Sequence, residues 1–412
     1  MPCCRRRAGA AYLMVLGTTL VVATLSLSGL LLARSRLAAS RALSAAAEAR
    51  DIARSGIELA CRWIAQDPNW RVNRSLGAWA TDLPIGQGTV TIEVSEPIDG
   101  NLTNRPYDAV RVRSTGRRDQ ARQMWEVTLN ADPDPLPLLQ YGLHTRGQLH
   151  IDGGQSLSVR NAPLDTDGRL RNDGTVIGNV EAASVETAGN IIGSLTIDTT
   201  TEQYPTNPFA MYVALGTEIT PGNTIERRVL SPGSNPWGAT NPDGVYVIRA
   251  NDNLTIRNSR IHGTLVILCA SGKKVTLDNS LLIHSYRTDY PALLIQGEVQ
   301  FAFSSSLGLI EATSLANFNP SGSPFQGSSD IDILDIYPSE IRGLVHVQGK
   351  VEFDSNGKFR GAVLCESASE ETRFRGTSEI IYDRSLANLP PQGYAARVPM
   401  LPQSGSWKRI VE

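Results

Sequence analysis

The chain has 412 residues, of which 41% are hydrophobic and 19% charged, with a formal net charge of −2. That balance excludes a disordered chain and gives a nucleic-acid partner no electrostatic footing, while the length allows two or three folded domains. Only 6% of residues are aromatic, whereas 36 Gly and 23 Pro supply turns, which favours many short strands over a helical bundle.

Arg5, Arg6 and Arg7 precede a run with no charge until Arg34. As a helix, residues 10–33 (AAYLMVLGTTLVVATLSLSGLLLA) would extend about 36 Å, enough to cross a bilayer core of about 30 Å. The run is longer than the apolar core of a cleaved secretory signal, and it lacks the polar face of a buried soluble helix. It reads as a single transmembrane helix in contact with the lipid bilayer. The helical pattern continues to Gln66: there is no Pro, Gly56 is the one Gly, and Leu37, Leu43, Ile52, Ile57 and Ile64 return to one face until Asp67-Pro68 stops it. Residues 10–66 would form a helix of about 85 Å. The half beyond the membrane is a stalk whose small residues suit packing against another helix.

The five cysteines, Cys3, Cys4, Cys61, Cys269 and Cys365, show no CxxC or zinc spacing, and their odd number argues against a disulfide framework. Cys3 and Cys4 adjoin the basic start, where acylation is an alternative to plain thiols.

A short basic leader, Gly9 before an apolar helix, and the phrase AAAEARDIARSGIELACRWI at 45–64 resemble type IV pilin-like proteins. The resemblance is to the PilX-like minor pilins and the K-type minor pseudopilins of type II secretion. Their A-E-A-G-I/L phrase is stretched here into Ala47-Glu48-Ala49 and Ser55-Gly56-Ile57. The resemblance implies cleavage by a prepilin peptidase after Gly9, leaving Ala10 as the first mature residue. It also implies assembly with other pilin-like subunits through the N-terminal helix. Met14 stands where the family's usual glutamate would be, as in K-type pseudopilins, which fits a tip or accessory subunit.

Strands are predicted at 88–94, 107–114 and 121–130, each alternating apolar and polar residues, as a small antiparallel meander within 67–131. In the resemblance, Ser114-Thr115-Gly116 matches a turn of that meander. The proline-rich stretch from Asp132 begins a stiff linker, 132–140.

From 141 to 412 the phrase apolar-x-Gly-x-apolar recurs around Gly178, Gly193, Gly263, Gly297, Gly343 and Gly361, with weaker copies at Gly147 and Gly376. LTIRNS at 254–259 is echoed by VTLDNS at 275–280. Short strands with inward apolar residues and Gly or Asn corners predict a parallel β-solenoid (β-helix), with an antiparallel sandwich as the competing reading. Leu265, Ile267 and Val345 should face the core. Asn258 and Asn279 are placed in an internal ladder, and Cys269 and Cys365 as small inward residues. The segment 304–338 interrupts the phrase as a loop excursion in which Asp330, Asp332 and Asp335 read as solvated acids. Residues 382–394 read as a closing strand and exit.

No nucleophile elbow, Walker loop, HExxH or dinucleotide fingerprint appears. Asp165-Thr-Asp-Gly168 begins like a calcium loop but continues with Arg169, Leu170 and, at loop position twelve, Val176, so it reads as a polar turn. His144, His150, His262, His284 and His346 are scattered. No catalytic, cofactor or metal residues are therefore assigned. The expectation is a structural, non-enzymatic component of a type IV pilus or type II secretion-like envelope assembly. It would be a single-pass inner-membrane protein with its C-terminal domain periplasmic or extracellular. Two alternatives stay open. One is a polysaccharide-acting β-helix enzyme using Glu298, Glu352 and Asp354 with Lys350, for which glycan binding would be expected. The other is a membrane-tethered, bactofilin-like cytoplasmic scaffold, favoured by Arg34, Arg36, Arg41, Arg50 and Arg54 following the apolar run.

Overall fold

The computed structural model describes residues 7–303 and 308–411, with the side chains of 7–9 left aside; Cys3, Cys4, Arg5 and Arg6 lie outside. The chain forms two compact units, Met1–Asp132 together with Pro399–Glu412, and Pro133–Val398. Along the chain, the second unit is an insertion in the first.

In the first unit, α1 (Arg7–Gln66) is followed by the strands β1 (Gly77–Ile85), β2 (Gly88–Ser95), β3 (Val110–Arg118) and β4 (Ala121–Ala131), paired in that order as antiparallel neighbours. β1 is absent from the sequence reading because it does not alternate. It contains Pro84, has Asp82 at a φ of 48°, and shifts register twice against β2, features that an edge strand tolerates. The far side of β4 pairs with Met400–Pro402 and Lys408–Ile410. The C-terminus therefore completes this sheet, and the solenoid does not run to residue 412. Nor is the closing strand at 382–394, where a short helix forms at Ser385–Asn388. Glu126 on β4 helps hold the returning chain: its buried carboxylate meets Lys408 at 3.0 Å and Arg113 at 3.0 Å.

One face of this sheet receives the last third of α1. Ala49, Ile52, Ala53, Ile57, Ala60 and Ile64 are buried there with Val90, Ile92, Val110, Val112 and Val127. Ser114-Thr115-Gly116 is no turn but the middle of β3. A Cβ on Gly116 would lie 2.1 Å from the carbonyl oxygen of Ala49, so glycine here lets helix and strand backbones touch.

The second unit is a β-solenoid whose coils each contribute strands to three parallel faces. On the first face, ten strand segments stack through nine parallel pairings among the described residues. Within the 22-stranded sheet that forms the three faces, every pairing is parallel, which excludes the sandwich. The interior holds Leu265, Ile267 and Val345 as expected, and a phenylalanine stack in which Phe353 lies 4.1 Å from Phe374 and 5.0 Å from Phe301 between ring centroids. Cys365 belongs to this core and Cys269 packs against it; burial pushes the Cys365 thiol up to about 12. Corner glycines stack on one another: a Cβ on Gly361 would meet the Gly343 carbonyl oxygen at 2.1 Å, and Gly361 has a φ of 147°. The predicted asparagine ladder is not internal. Asn258 and Asn279 turn corners in the left-handed conformation, at φ 44° and 56°, and Asn279 is exposed.

Coil order departs from chain order. The first coil, carrying Leu143–Thr145, stacks on the last, carrying Lys358–Cys365. The chain winds from there to Leu195–Ile197 at one end, then resumes at Thr217–Glu218 at the other. The connection must run along nine strand spacings, about 43 Å, and residues 198–216 do so as a strap with a helix at Pro208–Leu215. Tyr204, Phe209 and Tyr212 on the strap pack with Val247, Val266, Leu294 and Leu364, so the outer side of the first face becomes a second apolar core. Tyr204 pins the strap by donating to the Cys365 carbonyl at 2.9 Å, and Tyr212 by donating to that of Gln392 at 2.9 Å. Linker residues join this layer: Leu136, Leu138 and Leu139 are buried in it, and Asp134–Pro135 pairs with Ala395–Arg397.

Candidate assembly surface

The two parts of α1 differ in what surrounds them. Residues 49–64 present alternate small and branched residues to the sheet, and those residues are buried. From Ala10 to Leu43 every residue is exposed, including Tyr12, Leu13, Val15, Leu16, Leu25 and Leu31. The helix over Ala10–Gln66 has a mean hydropathy of 2.0 in its most apolar window, none of it buried. A surface so apolar on all sides is stable only in lipid or against other helices. Met14 is 74% exposed and offers no charge. Gly9 and Ala10 lie inside α1, so a helical backbone runs through the proposed processing point.

The small-residue face of the stalk is largely spent inside the molecule. Ala49 is fully buried and Ala46 half-buried, which leaves Leu37 and Leu43 as the large exposed apolar residues of α1 beyond the apolar run. Arg34, Arg36, Arg41 and Arg50 are exposed around them, and Arg54 lies over the Trp125 ring at 4.7 Å.

Of the carboxylates weighed for polysaccharide chemistry, Glu298 and Glu352 lie on neighbouring strands of the second solenoid face and Asp354 just beyond the second of them, within charge ladders. Glu352 meets Lys350 and Arg375, each at 2.8 Å. Burial alone would raise its pKa, but the hydrogen bond from Lys350 and the charges of Arg375 and Lys350 carry it below the usual range. Asp354 accepts from Gln300 and lies 3.7 Å from Arg375. Glu298 and Lys350 line an open cleft with Cys269, Lys273 and Glu370. A general acid needs a raised pKa, and the ion-paired Glu352 carboxylate is the reverse of that.

The excursion has a small core of its own, Leu309, Phe318 and Tyr337 against Val229 and Leu282. Arg260, fully buried, donates to the carbonyls of Phe318, Ser323 and Pro324, each at 2.7 Å. Asp330 and Asp335 both accept from Asn319 at 3.1 Å, so these acids organise the loop.

The histidines are not scattered in space. His262 and His284 stack at 4.0 Å on paired strands. Burial, with Arg260 close by, pushes His262 down to about 4. Burial again, with the charges of His262, Arg260 and Arg342, takes His284 to about 2. His346 is buried between Tyr394, at 2.8 Å, and Glu366, at 3.0 Å. His144, Asp165 and Asp167, which the sequence separates into a lone histidine and a polar turn, meet beneath the strap.

No family model matches the chain, and no curated protein matches it. Among solved structures it is similar to the competence-associated pilin ComZ from Thermus thermophilus. The identity is 11%, the match covers 90% of this chain and 98% of that one, and the TM-score is 0.31. A likeness at that score carries no conclusion about function.

Proposed function

We propose that the protein is a minor pilin-like or pseudopilin-like subunit of a type IV pilus or type II secretion-like envelope assembly. Residues 10–33 span the inner membrane and pack against the helices of other subunits. A prepilin peptidase cuts after Gly9, and the solenoid is displayed on the periplasmic or extracellular side as a structural rather than catalytic domain. The observation that carries this reading is the division of α1, bare over 10–43 and apolar over 10–33, and seated on an antiparallel sheet over 49–64. Met14 leaves no carboxylate to neutralise a neighbour's amino terminus, and a buried unpaired charge is costly. The subunit therefore joins at an end, in few copies. Intact-mass analysis of membrane-extracted protein should give a chain starting at Ala10, and Gly9→Leu should abolish the shift. A retained Met1 in the unaltered protein would sink the processing step.

A further inference from the structure

Three acidic clusters with metal-like spacing occur among the described residues, and two have resident partners. In the first, Glu96, Asp99 and Asp108, the Glu96 carboxylate accepts the backbone N–H groups of Ile98, Asp99 and Gly100, Asp99 accepts from the Asn101 N–H and the Asn104 side chain, and Asp108, whose Oδ2 accepts no hydrogen bond, has the charges of Arg105 and Arg71 as its neighbours. In the second, Glu311, Asp330 and Asp332, Glu311 is satisfied by the Tyr337 hydroxyl and the Phe318 and Asp335 N–H groups, and Asp330 by Asn319.

The third cluster is different. His144 and Asp165 are in register on paired strands of the first face, and Asp167 sits at the corner that follows. The His144 ring is 0% exposed, between Tyr141 and Tyr204. Its Nδ1 lies 2.7 Å from Asp165 Oδ2, a contact in which Nδ1–H donates, so that in the neutral imidazole it is Nε2 that carries the lone pair. That Nε2 faces Asp167 Oδ2 at 3.7 Å, and both atoms are buried without a hydrogen-bond partner. The 3.7 Å separation is too long for a hydrogen bond to satisfy either atom. It is close to the span of two ligands on one ion: bonds of about 2.1 Å at a tetrahedral angle place their ends about 3.4 Å apart. The strap contributes as well. The Glu202 N–H donates to Asp167 Oδ1 at 3.3 Å, and the Glu202 carboxylate shares the field of His144, Asp165 and Asp167. The neighbouring cation is Arg146, exposed, whose charge reaches Asp167.

We propose that His144 and Asp167 bind one divalent metal ion, with Asp165 orienting the imidazole through Nδ1 and Glu202 closing the site, and that the ion clamps the start of the strap to the solenoid. An imidazole beside carboxylates suits a borderline ion, zinc before manganese, and disfavours calcium, which takes all-oxygen shells. The site rests on the solenoid geometry and is independent of the role proposed for α1.

The test uses the full chain in detergent, stripped with EDTA, incubated separately with Zn²⁺, Mn²⁺ and Ca²⁺, desalted and assayed for bound metal and melting temperature. About one zinc per chain should be retained with a raised melting temperature. Both effects should be lost in His144→Gln and in Asp167→Asn and kept in His262→Gln. Cobalt(II) gives a readout that needs no variant: the unaltered chain should develop the visible absorption of a low-coordinate site, bleached by zinc. No retained zinc, equal zinc in the two ligand variants, no cobalt band, or a stabilisation by Ca²⁺ that Zn²⁺ does not produce would each overturn the proposal.

Discussion

The two compact units bury their apolar surface in opposite ways. The solenoid closes on itself, its three faces pointing Leu, Ile, Val and Phe inward, and it covers the outer side of one face with a strap of its own chain. The first unit has a single sheet covered by one helix, and that helix is far longer than the sheet can use. The consequence is a concentration of unpartnered apolar surface on residues 10–33, while the second solenoid face is dressed in ion pairs such as Arg373 with Asp152 and Lys350 with Glu352. Some apolar side chains are exposed on the solenoid as well, Ile331 and Leu334 on the excursion and Ile192 and Ile197 on the last coil before the strap. None of these forms a run comparable to α1. That difference is the ground on which assembly through the helix is proposed.

The coil order offers the largest all-or-none effect with which to break this comparison. Ser158 and Glu379, remote in sequence, are paired on the third face. The double substitution Ser158→Cys, Glu379→Cys should oxidise to an intramolecular disulfide visible as a gel shift, whereas a solenoid stacked in simple chain order would give none. Next comes Phe353→Ala, which removes a ring stacked on both sides. It should cost about 3–5 kcal/mol, read by denaturant unfolding followed through the β signal in circular dichroism. In the first unit, Gly116→Ala forces a Cβ against the Ala49 backbone and should cost about 1–3 kcal/mol. Tryptophan fluorescence is the suitable probe, because Trp63, Trp70, Trp79, Trp125 and Trp407 all lie in that unit. An unchanged midpoint would mean that α1 is not seated on β3.

Acid should separate the units less sharply. His262 and His284 stay neutral in the folded chain, whereas in the unfolded chain they take up protons near pH 6.5. The unfolded state then binds more protons, so solenoid stability falls as the pH drops from about 6.5 towards 4, and above 6.5 neither state gains. The double substitution His262→Phe, His284→Phe should flatten that part of the melting-temperature profile relative to the unaltered chain. The smallest effect is expected for Lys408→Met: the lysine is 59% exposed, so its pairing with Glu126 is worth only about 0.2–1 kcal/mol.

What was legible in the sequence follows the range of the interactions. The apolar run to Ala33, the stop at Asp67-Pro68, the alternation in β2 to β4 and the corner glycines are local signals, and each led to the right element. β1 was hidden because an edge strand with bulges and a proline carries no alternation. The C-terminal strands on β4 and the stacking of the first coil on the last were hidden because nothing local records a partner so far along the chain. His144 and Asp165 come together through the same register that sets the coil. The step from LTIRNS to VTLDNS could have brought them together, since both pairs are separated by 21 residues (275 − 254 and 165 − 144). Ala49 illustrates the opposite failure: a small residue on a helix suits an outside partner and an inside one equally, and here it is the sheet that takes it.

The most direct test of assembly through the bare part of α1 places a photo-crosslinker at Leu37 or Leu43 of the full chain in native membranes. The expected result is capture of other pilin-like helices in substoichiometric amounts, with Ala49 silent because it is buried in its own subunit. Adducts dominated by the chain itself, with the solenoid on the cytoplasmic side, would contradict the assignment and favour a tethered cytoplasmic scaffold.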